Sequence, residues 1–492
     1  MLFVVKLYPE ITIKSRPVRR RLVRQLRKNL RKLLRELDDG VQVTGDWDAV
    51  NIETSSDDPL LITRISQRLG CIPGVGQFQL VRRYPLVDLD NIVEACVPAF
   101  AKRLAGKSFA VRCKRQGKHP FSSVDVERRV GGALVQQTDA AGVRLKNPDV
   151  TVQLEIRQDI VHLILQQQNG IGGFPLGSQD SVLSLISGGF DSAVSSYLCI
   201  RRGLLMHYCF FNLGGRTHEL AVKEVALYLW MKYSASHQVR FVTVPFERVV
   251  EEILSKVENS QMGVVLKRMM LRAASQVAAS VGIEALVTGE SVAQVSSQTL
   301  ANLAVIDSVS DMLVLRPLIS SGKQDIIDIA RQIGTEEFSR HIPEYCGVIS
   351  NKPTTRARPL RIARQEEHFD MQLLDEAVTG ARVQLVSQLA EEIDGSQPEI
   401  SMVEHLEPGV TLIDIRHPDD MENSLLTFNR ADKLEVLEIP FYQLQSYMAD
   451  KDRSDNYVLY CDKGMMSRLH AAHLVDLGFE NVAVYQPARA HG

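Results

Sequence analysis

The sequence is short of several features that would place it at once. Its 492 residues hold only seven cysteines, an odd number with no CxxC pair and no Cys/His ligand spacing. Neither a disulfide framework nor a metal site is expected from them. No uninterrupted apolar run nears the ~20 residues of a membrane span. Lys6 and Glu10 also break the opening apolar residues too early for a signal peptide. A cytoplasmic protein that makes no use of a membrane is the expectation. A strong charge of one sign is missing too, since the formal net charge is -2.

That near-neutrality hides a segregation. Residues 1–40 carry twelve Lys/Arg against four Asp/Glu, and 101–157 carry twelve against five. The front third is therefore basic and the remainder acidic, and a polyanion is the natural partner of the front. At ~100 to 200 residues per domain, the length allows roughly three to four domains.

Strands are expected at 3–7 and 11–13. Ser15 then caps a helix with Pro17 in its first turn. In that helix Val18, Leu22, Leu26, Leu30, Leu33 and Leu37 recur at three- and four-residue steps, while Arg20, Arg24, Lys28 and Lys32 lie among the residues of the other face. One side packs, and the other meets solvent or phosphate. Strands at 41–43, 50–53 and 74–81 with a helix at 60–69 complete a small α+β module. A second module has helices through 104 and at 124–137, strands at 108–113, 150–157 and 160–166, and a basic loop at 113–119.

The central stretch is 181–192. A short apolar run breaks at Ser187-Gly188-Gly189-Phe190-Asp191-Ser192 and continues into a helical pattern. It reads as strand, tight turn, helix. Two glycines allow close backbone approach, and Ser187, Ser192 and the free amides of the helix start offer donors to an anion. No lysine follows the glycines, so this is not a Walker A loop. Beyond it, strands at 204–211, 239–244, 285–288 and 312–315 alternate with helices, which gives a parallel sheet whose ligands sit at the strand carboxyl ends. Lys267, and Gly289 with Gln294 and Gln298, fall where a nucleotide could be held, although spacing equally allows Lys267 on a solvated helix face. Lys323 can reach phosphates or RNA. Residues 360–400 read as helical connecting chain.

Near the end, a strand at 457–460 runs directly into Cys461, and a helix begins after Gly464 and Ser467. A thiol between a strand end and a helix N-terminus is a poised nucleophile, because the surrounding amides favour the thiolate. Cys96, Cys199 and Cys209 sit inside apolar runs and read as structural.

Four resemblances follow from these residues. SGGFDS resembles the loop of the PP-loop ATP pyrophosphatases, which implies that Leu185, Ile186, Lys267, Gly289 and Gln298 contact ATP. The element order and basic loop of the second module resemble a THUMP domain, which implies binding to tRNA. Cys461 with Gly464, and the closing strand, resemble a rhodanese domain, which implies a persulfide on Cys461. Many rhodaneses carry an arginine where Met465 and Met466 stand, so a protein persulfide donor fits better than thiosulfate. The whole order, with PEYCGVIS around Cys346, resembles the bacterial tRNA 4-thiouridine synthetases, also called ThiI.

That resemblance implies a ferredoxin-like module at 1-82, a THUMP domain at 83-168, a PP-loop doubly wound α/β domain at 169-395 and a rhodanese-like α/β domain at 400-492. It implies adenylation of a tRNA uridine, at position eight, with ATP and Mg2+, Asp191 positioning the metal or nucleotide. Cys461 would take sulfur from a cysteine desulfurase, and Cys346 would close a Cys346 to Cys461 disulfide that a cellular thiol reductant reopens. A sulfur-carrier protein for thiamine synthesis is a further implied partner. An RNA-binding adaptor, or a sulfurtransferase dedicated to the thiamine thiazole, are the alternatives.

Overall fold

A computed structural model describes residues 1–45, 49–213, 215–340, 342, 353–390, 400–407, 409–416, 421, 435–440, 444, 447–461, 465–476 and 478–486. The chain divides into two compact units, Met1–Pro175 and Leu176–Gly492.

In the first unit, β1 (Leu2–Leu7), β2 (Gln42–Thr44), β3 (Ala49–Glu53), β4 (Val75–Pro85), β5 (Ser108–Gln116), β6 (Gly142–Val143), β7 (Val150–Arg157) and β8 (Ile160–Asn169) form one eight-stranded sheet in the order β2-β3-β1-β4-β8-β7-β5-β6. The two basic modules of the sequence thus share a sheet, joined by the long antiparallel β4/β8 pair. Helix Arg16–Arg35 buries Leu22, Leu26, Leu30 and Leu33. Val18 is exposed instead, and the helix ends before Leu37. The expected strand at 11–13 is replaced by the short helix Pro9–Thr12, because Pro9 sits at its first position, where a missing N–H costs nothing. The basic loop is shorter than expected, since β5 pairs with β7 as far as Gln116.

The second unit holds two sheets. In the first, β9 (Ser181–Leu185), β10 (Leu205–Asn212), β11 (Arg240–Pro245), β12 (Ala285–Val287), β13 (Leu313–Leu315) and β14 (Arg382–Leu385) take the order β13-β12-β9-β10-β11-β14. All neighbours are parallel except β14, which runs antiparallel to β11 in a region the sequence presents as helical. Its core includes Leu183, Val242, Leu286, Met269 and Val277, packed against helix Met262–Ser280. In the second sheet, β15 (Ser401–Val403), β16 (Thr411–Asp414), β17 (Glu435–Glu438), β18 (Asn456–Tyr460) and β19 (Asn481–Tyr485) are all parallel, in the order β15-β19-β18-β16-β17. Among the described residues, no helix is long and apolar enough to cross a membrane.

Candidate functional site

β9 lies inside its sheet between β10 and β12, so its carboxyl end opens at a change in strand order, where α/β sheets hold ligands. One further ladder bond, from Ile186 N–H to the Cys209 carbonyl at 3.0 Å, extends the strand before the turn. Gly189 then caps helix Phe190–Arg201. The Ser192 hydroxyl closes the turn, accepting from Ser187 N–H at 3.3 Å and donating to the Gly189 carbonyl at 3.0 Å.

Two glycines are needed for different reasons. Gly188 has φ +81, a conformation that side chains rarely adopt, and a Cβ there would come within 2.5 Å of Ile342. At Gly289, just past β12, a Cβ would stand 2.6 Å from the Asp191 carbonyl carbon and 2.8 Å from Ser192 N. Only a residue without a side chain lets the end of β12 approach the start of helix Phe190–Arg201 so closely.

Together these ends enclose a cavity of about 300 Å³. Leu185, Ile186, Ser187, Gly189, Asp191 and Ser192 line it from the loop, and Lys267, Gly289 and Gln298 from the strands and helix beyond. Gly188 lies in the same turn but outside the lining. Lys323 reaches the site through Asp191, whose Oδ1 accepts from Lys323 Nζ at 2.9 Å while Oδ2 accepts from Gln294 Nε2 at 2.7 Å. Phe211, Val264 and Met270 make part of the wall apolar.

Sequence reasoning missed a charge network here. Glu290 is buried, with Oε1 accepting from Lys267 Nζ at 2.7 Å and Oε2 from Arg316 Nε at 2.8 Å and from the Thr288 hydroxyl at 3.1 Å. Arg316 also forks onto Asp307, at 2.9 and 2.5 Å. Burial alone would raise the Glu290 carboxyl, but Lys267 and Arg316 outweigh it and hold its pKa down to about 2. The signal available was position, because Arg316 directly follows β13 at its carboxyl end.

Two links tie later chain to this site. The Ser339 hydroxyl donates to the Gly188 carbonyl at 2.9 Å. Ile342, and Pro353 with Thr354, both line the cavity. Cys346 lies between them and outside the described residues, as do 462–464 beside Cys461.

Cys461 follows β18 and is 9% exposed. The backbone N–H of Ser467, in the first turn of helix Met465–Asp476, donates to its Sγ at 3.3 Å. An amide at a helix start aimed at sulfur stabilises negative charge there. Beside it, Arg416 and Asp414 form a buried pair at 2.6 Å, and the guanidinium stands 5.3 Å from the Tyr460 ring centroid. By contrast, burial pushes the Cys96, Cys199 and Cys209 thiols up to about 12 each, which makes them poor nucleophiles and fits their structural reading.

In the first unit, Arg20, Arg21, Arg24, Lys28 and Lys32 stand exposed on the face of helix Arg16–Arg35 opposite its buried leucines. Arg19 and Arg31 are instead tied to the carbonyls of Thr12 and Val43. Near the end of β5, Arg115 donates to the Gly117 carbonyl at 3.2 Å, and beyond it the His119 ring stacks on Phe121 with centroids 5.6 Å apart.

Comparison with known proteins gives these parts names. Residues 3–78 match the ThiI ferredoxin-like domain, 87–166 the THUMP domain, 177–371 the thiamine biosynthesis protein (ThiI) family and 401–487 the rhodanese-like domain. The chain is 54% identical over 488 residues to a tRNA sulfurtransferase of Azotobacter vinelandii, covering 99% of this chain and 100% of that one. A tRNA sulfurtransferase of Pseudomonas aeruginosa matches at the same identity and coverage. Among solved structures, a 4-thiouridine synthetase in complex with RNA and bound ATP superposes with a TM-score of 0.68 at 25% identity, covering 78% of this chain and 99% of that one. With half of its residues shared with such relatives from end to end, the chain belongs to the ThiI family of tRNA sulfurtransferases.

Proposed function

We propose that this enzyme uses ATP to convert a uridine of tRNA, at position eight, to 4-thiouridine. The observation that carries the reading is the joining, in one chain, of a phosphate-loop cavity and a thiol held under a helix-start amide.

The cavity suits ATP. Gly289 leaves room for close backbone approach, Lys267 and Lys323 bring cations to it or its rim, and the buried Gln298 Oε1 has no partner among the described residues. In this reading the turn from Ser187 to Ser192 holds the phosphates, with Leu185, Ile186 and Gln298 against the nucleoside. ATP supplies the activation of O4, turning a poor leaving group into AMP with release of pyrophosphate. Among the described residues, no three His, Cys, Asp or Glu side chains converge as a metal site. Mg2+ would therefore be held mainly by phosphate oxygens, as is usual for this ion, with Asp191 as its protein carboxylate.

Cys461 accepts sulfane sulfur from a cysteine desulfurase and delivers it to C4, as the persulfide or as sulfide released from it. Cys346 attacks the Cys461 sulfur, forming a disulfide that a thiol reductant reopens by supplying two electrons. Its tether supports this role, for Cys346 is four residues from cavity-lining Ile342, a reach of at most about 14 Å. The exposed arginines and lysines of the first unit suit the phosphates and A-form shape of tRNA more than its base edges.

The decisive experiment supplies purified protein with a desulfurase, cysteine, ATP and tRNA transcript. Cys461→Ala should abolish thionucleoside while pyrophosphate release continues. Thiolation by that variant would end the proposal. The thiamine family name supports a second product, sulfur passed to a carrier protein for thiazole synthesis. That supply should survive loss of the first unit, whereas tRNA thiolation should not.

A further inference from the structure

Gln294 turns toward the cavity an acceptor that phosphate oxygens cannot satisfy. Gln294 lines the cavity and its Nε2 donates to Asp191 Oδ2 at 2.7 Å. A carboxylate only accepts, so this bond fixes the amide with its nitrogen toward Asp191 and its oxygen away. That Oε1 is buried and meets no donor among the described residues. Leaving a buried acceptor unpaired is unfavourable, and a ligand donor would relieve it.

The backbone around Gln294 is held in a costly shape. Ala293 has φ +64, the left-handed region that alanine avoids. Flanking bonds impose it, from Ala293 N–H to the Gln298 carbonyl at 3.0 Å and from Gln294 N–H to the Ser291 carbonyl at 3.3 Å. On either side, Val292 and Val295 are 38% and 48% exposed, and Val295 lines the cavity. An amide edge beside an exposed apolar side chain on the same cavity wall matches what enzymes present to an unstacked base, a hydrogen-bonding edge with apolar contact for the ring.

Phosphate oxygens accept, so a triphosphate beside Asp191 cannot satisfy Gln294 Oε1. The reacting base brings a donor. In uracil, N3–H lies next to C4=O4. When O4 bonds to the α-phosphorus, the bond from that phosphorus to the bridging oxygen breaks and pyrophosphate leaves with its electron pair. N3 then gives its proton to solvent as the C4=N3 double bond forms. An acceptor on N3–H draws electron density toward O4 and holds the edge in place.

We propose that Gln294 reads the Watson–Crick edge of the target uracil, its Oε1 accepting from N3–H, with Val295 against the base. The proposal rests on the adenylation of O4 argued above.

The test is a cycle on the full-length protein, measuring single-turnover pyrophosphate release with tRNA carrying either uridine or 3-deazauridine at the target position. 3-Deazauridine keeps O4 and replaces N3–H by C–H. Gln294→Met should slow the uridine substrate about tenfold, the scale of one lost hydrogen bond with its partner left unpaired. The loss on 3-deazauridine, which reads only the Asp191 bond that the substitution also removes, should be about tenfold smaller than the loss on uridine. Equal losses on both substrates would mean that Gln294 acts only by holding Asp191, and would overturn the proposal. A rise in KM for ATP that vanishes with 2′-deoxy-ATP would assign the acceptor to the ribose and overturn it as well. Absence of pyrophosphate from wild type on the uridine tRNA would instead sink the adenylation reading beneath it. Should the methionine variant not fold, Gln294→Leu runs the same cycle.

Discussion

At the scale of single residues, the site rests on one close approach and one buried charge. Gly289→Ala puts a methyl 2.6 Å from main-chain atoms that cannot turn aside, so the end of β12 and the start of helix Phe190–Arg201 must part. Overpacking of this kind costs about 1–3 kcal/mol. A thermal melt should show that loss, together with a smaller shift on adding ATP than in wild type. Glu290 makes a prediction in pH. Its folded pKa, about 2, lies below the ordinary 4.5, so its contribution is fully present above pH 4.5 and disappears as pH falls through about 2. The linkage is worth about 3 kcal/mol. Glu290→Gln should lose about that much at neutral pH and show a flatter acid limb in denaturation between pH 4.5 and 2. An acid limb as steep as that of wild type would place the stabilisation elsewhere.

At the scale of elements, the exposed cations of helix Arg16–Arg35 offer the clearest test. Replacing Arg20, Arg24 and Lys28 together by glutamine leaves the buried leucines untouched. It should weaken tRNA binding and lower the slope of log affinity against log salt by up to about three, one for each phosphate no longer neutralised. The apolar face of that helix was legible from leucine spacing, because periodic burial is written directly into side-chain type. So were β9 and the glycine turn, where local composition and local geometry coincide. β14 was not legible, since four residues at a sheet edge beside β11 gain their strand character from a partner more than 130 positions earlier in the chain. The length of β5 was hidden for the same reason, as its last residues pair with β7. Lys267, Gly289 and Gln298 could be named through family resemblance. The Glu290 to Arg316 pairing could not, because it depends on two strand ends meeting in space.

At the scale of the whole chain, division at Pro175 separates a basic unit from one holding the nucleotide cavity and Cys461. A protein comprising residues 176–492 should still give a thermal shift with ATP and still load sulfur on Cys461, yet fail to thiolate tRNA; full thiolation by this fragment would remove the front unit from tRNA recognition. One modest hydrogen bond ties distant parts of the second unit together. The Ser339 hydroxyl donates to the Gly188 carbonyl, and three residues later Ile342 lines the cavity. Whatever displaces the glycine turn therefore also pulls on the segment that carries Ile342 along the cavity wall.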